Sequence, residues 1–125
     1  KERGITIILI THDLALVSQI TDRIGIMYAG QLVEFSITKD IYKNPRHPYT
    51  QALIEAIPRL RTKDKKIHFV SGSPPSLLRP PLGCRFRDRC VHAMDVCKRD
   101  PPEFQREAGY VRCWLYEGSP GGPQP

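Results

Sequence analysis

A chain of 125 residues has room for about one ordinary domain. Its 40% hydrophobic and 26% charged residues suit a globular protein and exclude a disordered one, and no apolar run approaches the roughly 20 residues of a membrane helix. The opening Lys1-Glu-Arg-Gly4 lacks a signal-peptide core, and a start on Lys rather than Met reads as a fragment or a processed product.

The net charge of +6 is unevenly spread. Residues 1–60 carry seven Lys/Arg against six Asp/Glu, whereas residues 61–125 carry twelve against seven. A basic half suits anionic partners such as nucleic acid, acidic lipid or a negatively charged metal cluster, or is simply a solvated face. Nine of the twelve prolines lie at or after Pro74, so this half cannot be built mainly from long helices or central strands. Composition therefore divides the chain: 1–60, then a charged and proline-rich linker over 61–83, a cysteine region over 84–116, and a Gly/Pro-rich disordered tail over 117–125. Within the linker, Ile67-His-Phe-Val70 has room for a short strand.

In chain order, Ile5-Thr-Ile-Ile-Leu-Ile-Thr11 is a β-branched run expected to form a parallel strand covered on both faces. Leu14, Leu16, Val17 and Ile20 follow at near-helical spacing, with Asp13 placed to cap the helix. His12 then falls in the turn after the carboxyl end of the strand, where open α/β sheets place their ligands. Arg23–Met27 and Gln31–Phe35 alternate around the turn Tyr28-Ala-Gly30, which predicts a β-hairpin. Short helices are expected from Thr38 or Lys39 to Tyr42 and from Pro48 to Ala56, the second with Pro48 in its first turn. The fold class is α/β: a strand-helix unit, a β-hairpin and short helices, followed by a small irregular cysteine-rich region.

These residues carry a resemblance. The stretch ITIILITHDLALVSQITDRIGIMYAGQLVEFS (5–36) resembles the end of an ABC ATPase nucleotide-binding domain. KDIYKNPRHPYTQALIEAIPRL (39–60) resembles the extension peculiar to oligopeptide and dipeptide importer ATPases, with its signature at Asn44–Thr50. The resemblance implies that His12 is the switch histidine contacting the γ-phosphate of ATP, and that Mg is bound in the full-length parent. Electrostatics support that role, because phosphoryl transfer needs positioned donors where charge develops. It further implies permease subunits and a second ABC ATPase subunit as partners, and a place in the cytoplasm on the inner face of the membrane. No Gly-x-x-x-x-Gly-Lys-Ser/Thr phosphate loop occurs in these 125 residues, so this chain alone is expected neither to bind nor to hydrolyse ATP. The Ile5–Thr11 strand without its neighbours would invite pairing with a second copy, a truncation-induced homo-oligomer.

Cys84, Cys90, Cys97 and Cys113 are separated by five, six and fifteen residues. A proline-rich region of about 40 residues is too small for a substantial core and usually needs a staple. Two disulfides, a Cys₄ zinc site and a [4Fe–4S] cluster all use four cysteines, and the spacing lacks the Cys-x₂-Cys pairs of zinc ribbons. PLGCRFRDRCVHAMDVCKRDPPEFQREAGYVRCWLY (81–116) is similar to the cysteine-rich tail of many peptide-importer ATPases. That resemblance implies that the four cysteines ligate an iron–sulfur cluster. Tyr110 stands where that pattern often has histidine, and Asp88 where it often has proline. Arg85, Arg87, Arg89, Lys98, Arg99 and Arg112 are placed by sequence to offset the negative charge of such a cluster, or to form a basic solvent face. His92 is assigned no role and is read as a surface residue.

The competing reading is a zinc-stapled nucleic-acid-binding module, although Phe86, Phe104, Tyr110, Trp114 and Tyr116 form no recognisable RNA-binding pattern with the basic residues, so no specific nucleic acid is expected. A redox regulator would instead need an exposed cysteine of low pKa.

Overall fold

The computed structural model describes residues 4–57 and 70–118; the linker residues 61–66, most of the Ile67–Val70 segment and the end of the tail lie outside these residues. Four strands form one antiparallel sheet in the order β1-β2-β4-β3: β1 is Arg23–Tyr28, β2 Gln31–Ile37, β3 Phe104–Arg106 and β4 Gly109–Val111. Among the described residues three α-helices accompany it: α1 (Leu14–Ile20), α2 (Thr38–Lys43) and α3 (Pro48–Glu55). No described helix is long and apolar enough to cross a membrane.

The hairpin forms for local reasons. In β1 the inward Ile24, Ile26 and Tyr28 alternate with outward Arg23, Gly25 and Met27, the period-2 pattern of a half-buried strand. Its two-residue turn is Ala29-Gly30 with φ of 47° and 80°. Positive φ at both positions is what a type I′ hairpin turn requires. The register shifts between Ile26 and Met27, so Ile26 faces Glu34 while Met27 faces Leu32. This bulge leaves Val33 as an extra residue and breaks the alternation, turning both Val33 and Glu34 inward. A charged side chain thereby enters the interior.

Helix α1 starts where Asp13 Oδ1 accepts the Leu16 N–H at 3.0 Å, the expected cap. Its other end is tied to α2: the Thr38 hydroxyl donates to Thr21 O at 2.8 Å, and the Thr38 N–H to Asp22 O at 3.0 Å. Pro48 occupies the first turn of α3, where its missing N–H costs nothing. The main core gathers Val17, Ile24, Ile26, Tyr28, Val33, Ile41, Ile54 and Phe86. Phe86 belongs to the cysteine region, so one core is shared between the two halves of the chain.

Three expectations need correction. Residues 5–11 form no strand, and Ile8 and Ile10 are 88% and 92% exposed. A strand of the buried parallel type is held by neighbours on both sides, and among the described residues none lies beside it. Second, the cysteine region is not wholly irregular. It contributes β3 and β4, and β4 adds to the edge of β2 through Glu34↔Val111 and Phe35↔Tyr110. Gly109 allows this close approach, because a Cβ there would collide with the Phe35 carbonyl. Three-residue strands flanked by Pro101-Pro102 carry too short a pattern to be read from sequence. The third correction concerns the arginines.

Candidate functional site

All four cysteines line one narrow cavity at the junction of α3 with the 84–116 segment. Cys97 and Cys113 are buried, Cys84 and Cys90 half-buried, and none is in a disulfide. Each thiol is delivered by a tight turn. The Cys84 N–H donates to Cys97 O at 2.9 Å, which clips the first and third cysteines together. Gly83 makes this clip possible: its φ is +80°, and a Cβ would strike the backbone of Cys97 and Lys98. A short 3-10 turn, Arg87–Arg89, separates Cys84 from Cys90, and another, Asp95–Lys98, holds Cys97. Cys113 arrives directly from β4 and starts a third turn, Trp114–Tyr116.

The two halves lock across this cavity. Phe86 is 3% exposed and packs edge-on to Tyr28 at 5.1 Å, with Tyr49 at 5.5 Å and the His47 ring at 5.8 Å. The Tyr116 hydroxyl donates to Arg46 O at 2.8 Å. From the opposite side, the bulge in β2 brings in the Glu34 carboxylate, which accepts the backbone N–H groups of Arg46 and His47, each at 2.9 Å. Burial pushes the Glu34 pKa up, against those hydrogen bonds. The Thr50 hydroxyl also lies close enough to favour the carboxylate, though it falls short of hydrogen-bond geometry.

His47 is the residue that sequence reasoning passed over. It is 1% exposed and lines the cysteine cavity. Its Nδ1 accepts the Tyr49 N–H at 3.1 Å, capping α3, while Nε2 is buried without a partner among the described residues. Burial holds its pKa down at about 4, so the ring is neutral near pH 7. A buried donor left unsatisfied typically costs about 1–3 kcal/mol. The available signal was its place immediately before a proline-initiated helix, within the signature at Asn44–Thr50.

The basic residues do not turn their heads to the thiols. Arg85 donates to Ala29 O in the hairpin turn, and Arg89 to Ser71 O, Val70 O and the Tyr28 hydroxyl. Arg112 donates to Pro101 O, Lys98 pairs with Asp95, and Arg99 lies over Trp114 at 5.2 Å. Arg87 lines the cavity but pairs with Asp88 at 3.1 Å. Carbonyl oxygens exposed by irregular backbone need donors, and long cationic side chains supply them. Burial accordingly raises the thiol pKa values of Cys84 and Cys90, and that of Cys113 to about 12. This is the opposite of a reactive, low-pKa cysteine. Among the described residues, no three His, Cys, Asp or Glu side chains stand together as a single metal ion requires.

His12 is solvent-exposed, between the irregular 5–11 segment and α1, away from the cysteine cavity's lining. His92 is exposed at the cavity's edge.

A small antiparallel α/β unit with a cysteine cavity clamped onto a hairpin and a proline-initiated helix defines the class. A family model for the oligopeptide/dipeptide transporter C-terminal region matches residues 33–97, and the chain belongs to that family. The dipeptide transport ATP-binding protein DppD of Caldanaerobacter subterraneus is 45% identical over 119 residues, covering 94% of this chain and 36% of that protein. The oligopeptide transport ATP-binding protein OppD of Salmonella typhimurium is 43% identical over 112 residues, covering 90% and 33%. The putative oligopeptide transport ATP-binding protein YkfD of Bacillus subtilis is 42% identical over 125 aligned residues, covering 95% and 38%. The chain spans about a third of the length of these relatives.

Proposed function

We propose that this chain is the C-terminal part of an ATP-binding subunit that powers peptide import, working on the cytoplasmic face of a membrane with permease subunits and a second ATPase subunit. The observation that carries this reading is the similarity of nine-tenths or more of the chain to dipeptide and oligopeptide transport ATP-binding proteins. ATP and Mg would be held by the whole subunit. His12 would supply a positioned donor to the γ-phosphate, and the exposed Ile5–Ile10 run suits a strand that the rest of a nucleotide-binding sheet would cover.

The second part of the proposal is that Cys84, Cys90, Cys97 and Cys113 hold a [4Fe–4S] cluster. The donor chemistry supports it: four thiols held in or beside three short turns line one cavity whose remaining lining is largely apolar or aromatic. The free space there is about 10 Å³, roughly one water molecule. A cluster is larger, so its binding would have to be coupled to expansion and ordering of the cysteine turns. Bound iron would also reverse the burial penalty on the thiolates, since a coordinating thiol is deprotonated by the metal's charge. The missing three-ligand grouping weighs against zinc more than against a cluster, whose irons take one thiolate each. The cluster would supply either a structural staple or an electron-accepting centre.

Iron and sulfide analysis of anaerobically isolated protein tests this. About four irons per chain and a brown colour are expected, both abolished by Cys90→Ser. One zinc per colourless chain, or no metal with a folded cysteine region, would rule the cluster out.

A further inference from the structure

The occupant of the cysteine cavity needs more than ligands, and one buried group is placed to meet it. His47 enters the cavity wall from the α3 side, fixed at three points. Glu34 accepts its backbone N–H at 2.9 Å, its Nδ1 accepts the Tyr49 N–H at 3.1 Å, and its ring rests 5.8 Å from Phe86. Because Nδ1 is the acceptor of a hydrogen bond, the neutral ring carries its proton on Nε2. That N–H is buried and has no acceptor among the described residues. The same tautomer excludes ligation, since Nε2 has no lone pair to give and that of Nδ1 is engaged by Tyr49.

We propose that His47 Nε2–H donates a hydrogen bond to a sulfur of the iron–sulfur centre held by Cys84, Cys90, Cys97 and Cys113, and thereby positions that centre and raises its reduction potential. The proposal rests on the cluster reading above. Apart from the four thiols, the cavity lining is mainly carbon, from Pro48, Phe86, Trp114 and Leu115 among others. A thiolate or inorganic sulfide is thus the strongest acceptor the cavity can offer to the orphan donor. A hydrogen bond to sulfur stabilises the more negative, reduced cluster more than the oxidised one, and hydrogen bonds to sulfur are among the levers that set such potentials. The bulge that turns Glu34 inward acquires a purpose on this account: the carboxylate holds the 46–47 backbone from the sheet side and keeps the imidazole on station.

The experiment uses the full 125-residue chain, reconstituted anaerobically and titrated with dithionite in the presence of mediators. His47→Phe keeps a ring without a donor, whereas His47→Gln keeps a donor at nearly the same reach. With iron content held at the wild-type level, His47→Phe is expected to shift the reduction equilibrium about tenfold toward the oxidised cluster. That is about 59 mV more negative for one electron. His47→Gln should recover at least half of the shift, and His92→Ala should leave the potential unchanged. Equal potentials in wild type and His47→Phe, at equal iron, would overturn the hydrogen bond while leaving the cluster standing. No iron uptake by wild type overturns both. Should His47→Phe fail to fold, pulsed electron paramagnetic resonance on reduced, ¹⁵N-histidine-labelled wild type and His92→Ala decides. A nitrogen coupling with an exchangeable proton in both proteins supports the bond, and its absence overturns it.

Discussion

Residues 5–12 and the body formed by residues 14–57 and 84–118 answer to different physics. The first has the stronger strand pattern, six β-branched residues in the seven of Ile5–Thr11 if both threonines are counted, and yet it forms no strand. The second includes strands of only three residues that nonetheless pair. A β-branched run records a preference that needs neighbours on both sides to be realised. The body supplies its own neighbours: a type I′ turn, a bulge, Gly109 against Phe35, and Phe86 seated among Tyr28, Tyr49 and His47. Sequence pattern without a partner predicts burial in something else; pattern with local turn chemistry predicts structure in place.

If that contrast is right, the first segment should matter to catalysis in the intact subunit and little to the stability of this chain. In a whole ATP-binding subunit, His12→Ala is expected to slow hydrolysis by about 10²-fold or more, the loss typical of one preorganised donor. Nucleotide binding should be nearly unchanged; steady-state turnover beside an ATP titration checks both. This chain alone should show no saturable ATP binding in the range of about 1 µM to 1 mM usual for substrates. Turnover near wild type would reduce His12 to a turn residue.

The body should respond in the opposite way. Phe86→Ala removes the aromatic plug that joins the halves and should cost about 3–5 kcal/mol, releasing residues 84–116 to protease. Ile8→Ala, at a site already in water, should stay within about 0.5 kcal/mol. Denaturant melts of both variants sharpen the comparison, and equal losses would break it.

Acid provides a third, smaller test. The His47 pKa is about 4 in the fold against an unperturbed value of about 6.5. The unfolded chain therefore binds the extra proton between these values, and stability falls as pH drops through that window, by up to about 1.4 kcal/mol per pH unit. Glu34 works against this, since its raised pKa means that the fold holds a proton more readily than the unfolded chain. Removing the imidazole in His47→Gln should therefore lower the pH slope of stability between about pH 4 and 6.5 relative to wild type. Asp13→Ala is expected to cost about 1 kcal/mol as the loss of an exposed helix cap, confined to α1 and visible as faster amide exchange there.

Much of the fold was legible because its signals are local. Asp13 before Leu14, Ala29-Gly30 between alternating runs, and Pro48 at a helix start are each a few residues long and act within one turn. All four thiols line one cavity, whereas their spacing alone left disulfides, zinc and a cluster open. What was not legible depends on chain segments far apart. Glu34 reads as an outward residue by alternation and is turned inward only by the bulge opposite Ile26–Met27. Phe86 reads as a stray aromatic between cysteines and becomes core only because Tyr28 and Tyr49 stand more than thirty positions away. The arginines read either as a charge cloud for a cluster or as a solvated basic face, whereas backbone carbonyls claim Arg85, Arg89 and Arg112. His47 carried no chemistry on paper, because nothing in sequence says which of its nitrogens is spent on Tyr49.

The four-iron cluster proposed for the cavity behind Phe86 and His47 can be tested by its composition. Quantifying iron, sulfide and zinc in anaerobically isolated wild-type and Cys90→Ser chains addresses it most directly. The account predicts about four irons and four sulfides per wild-type chain, none in the variant, and loss of protease resistance over residues 84–116 but not 23–57. A single zinc in wild type, or a cysteine region that stays resistant with all four cysteines replaced by serine, would contradict it.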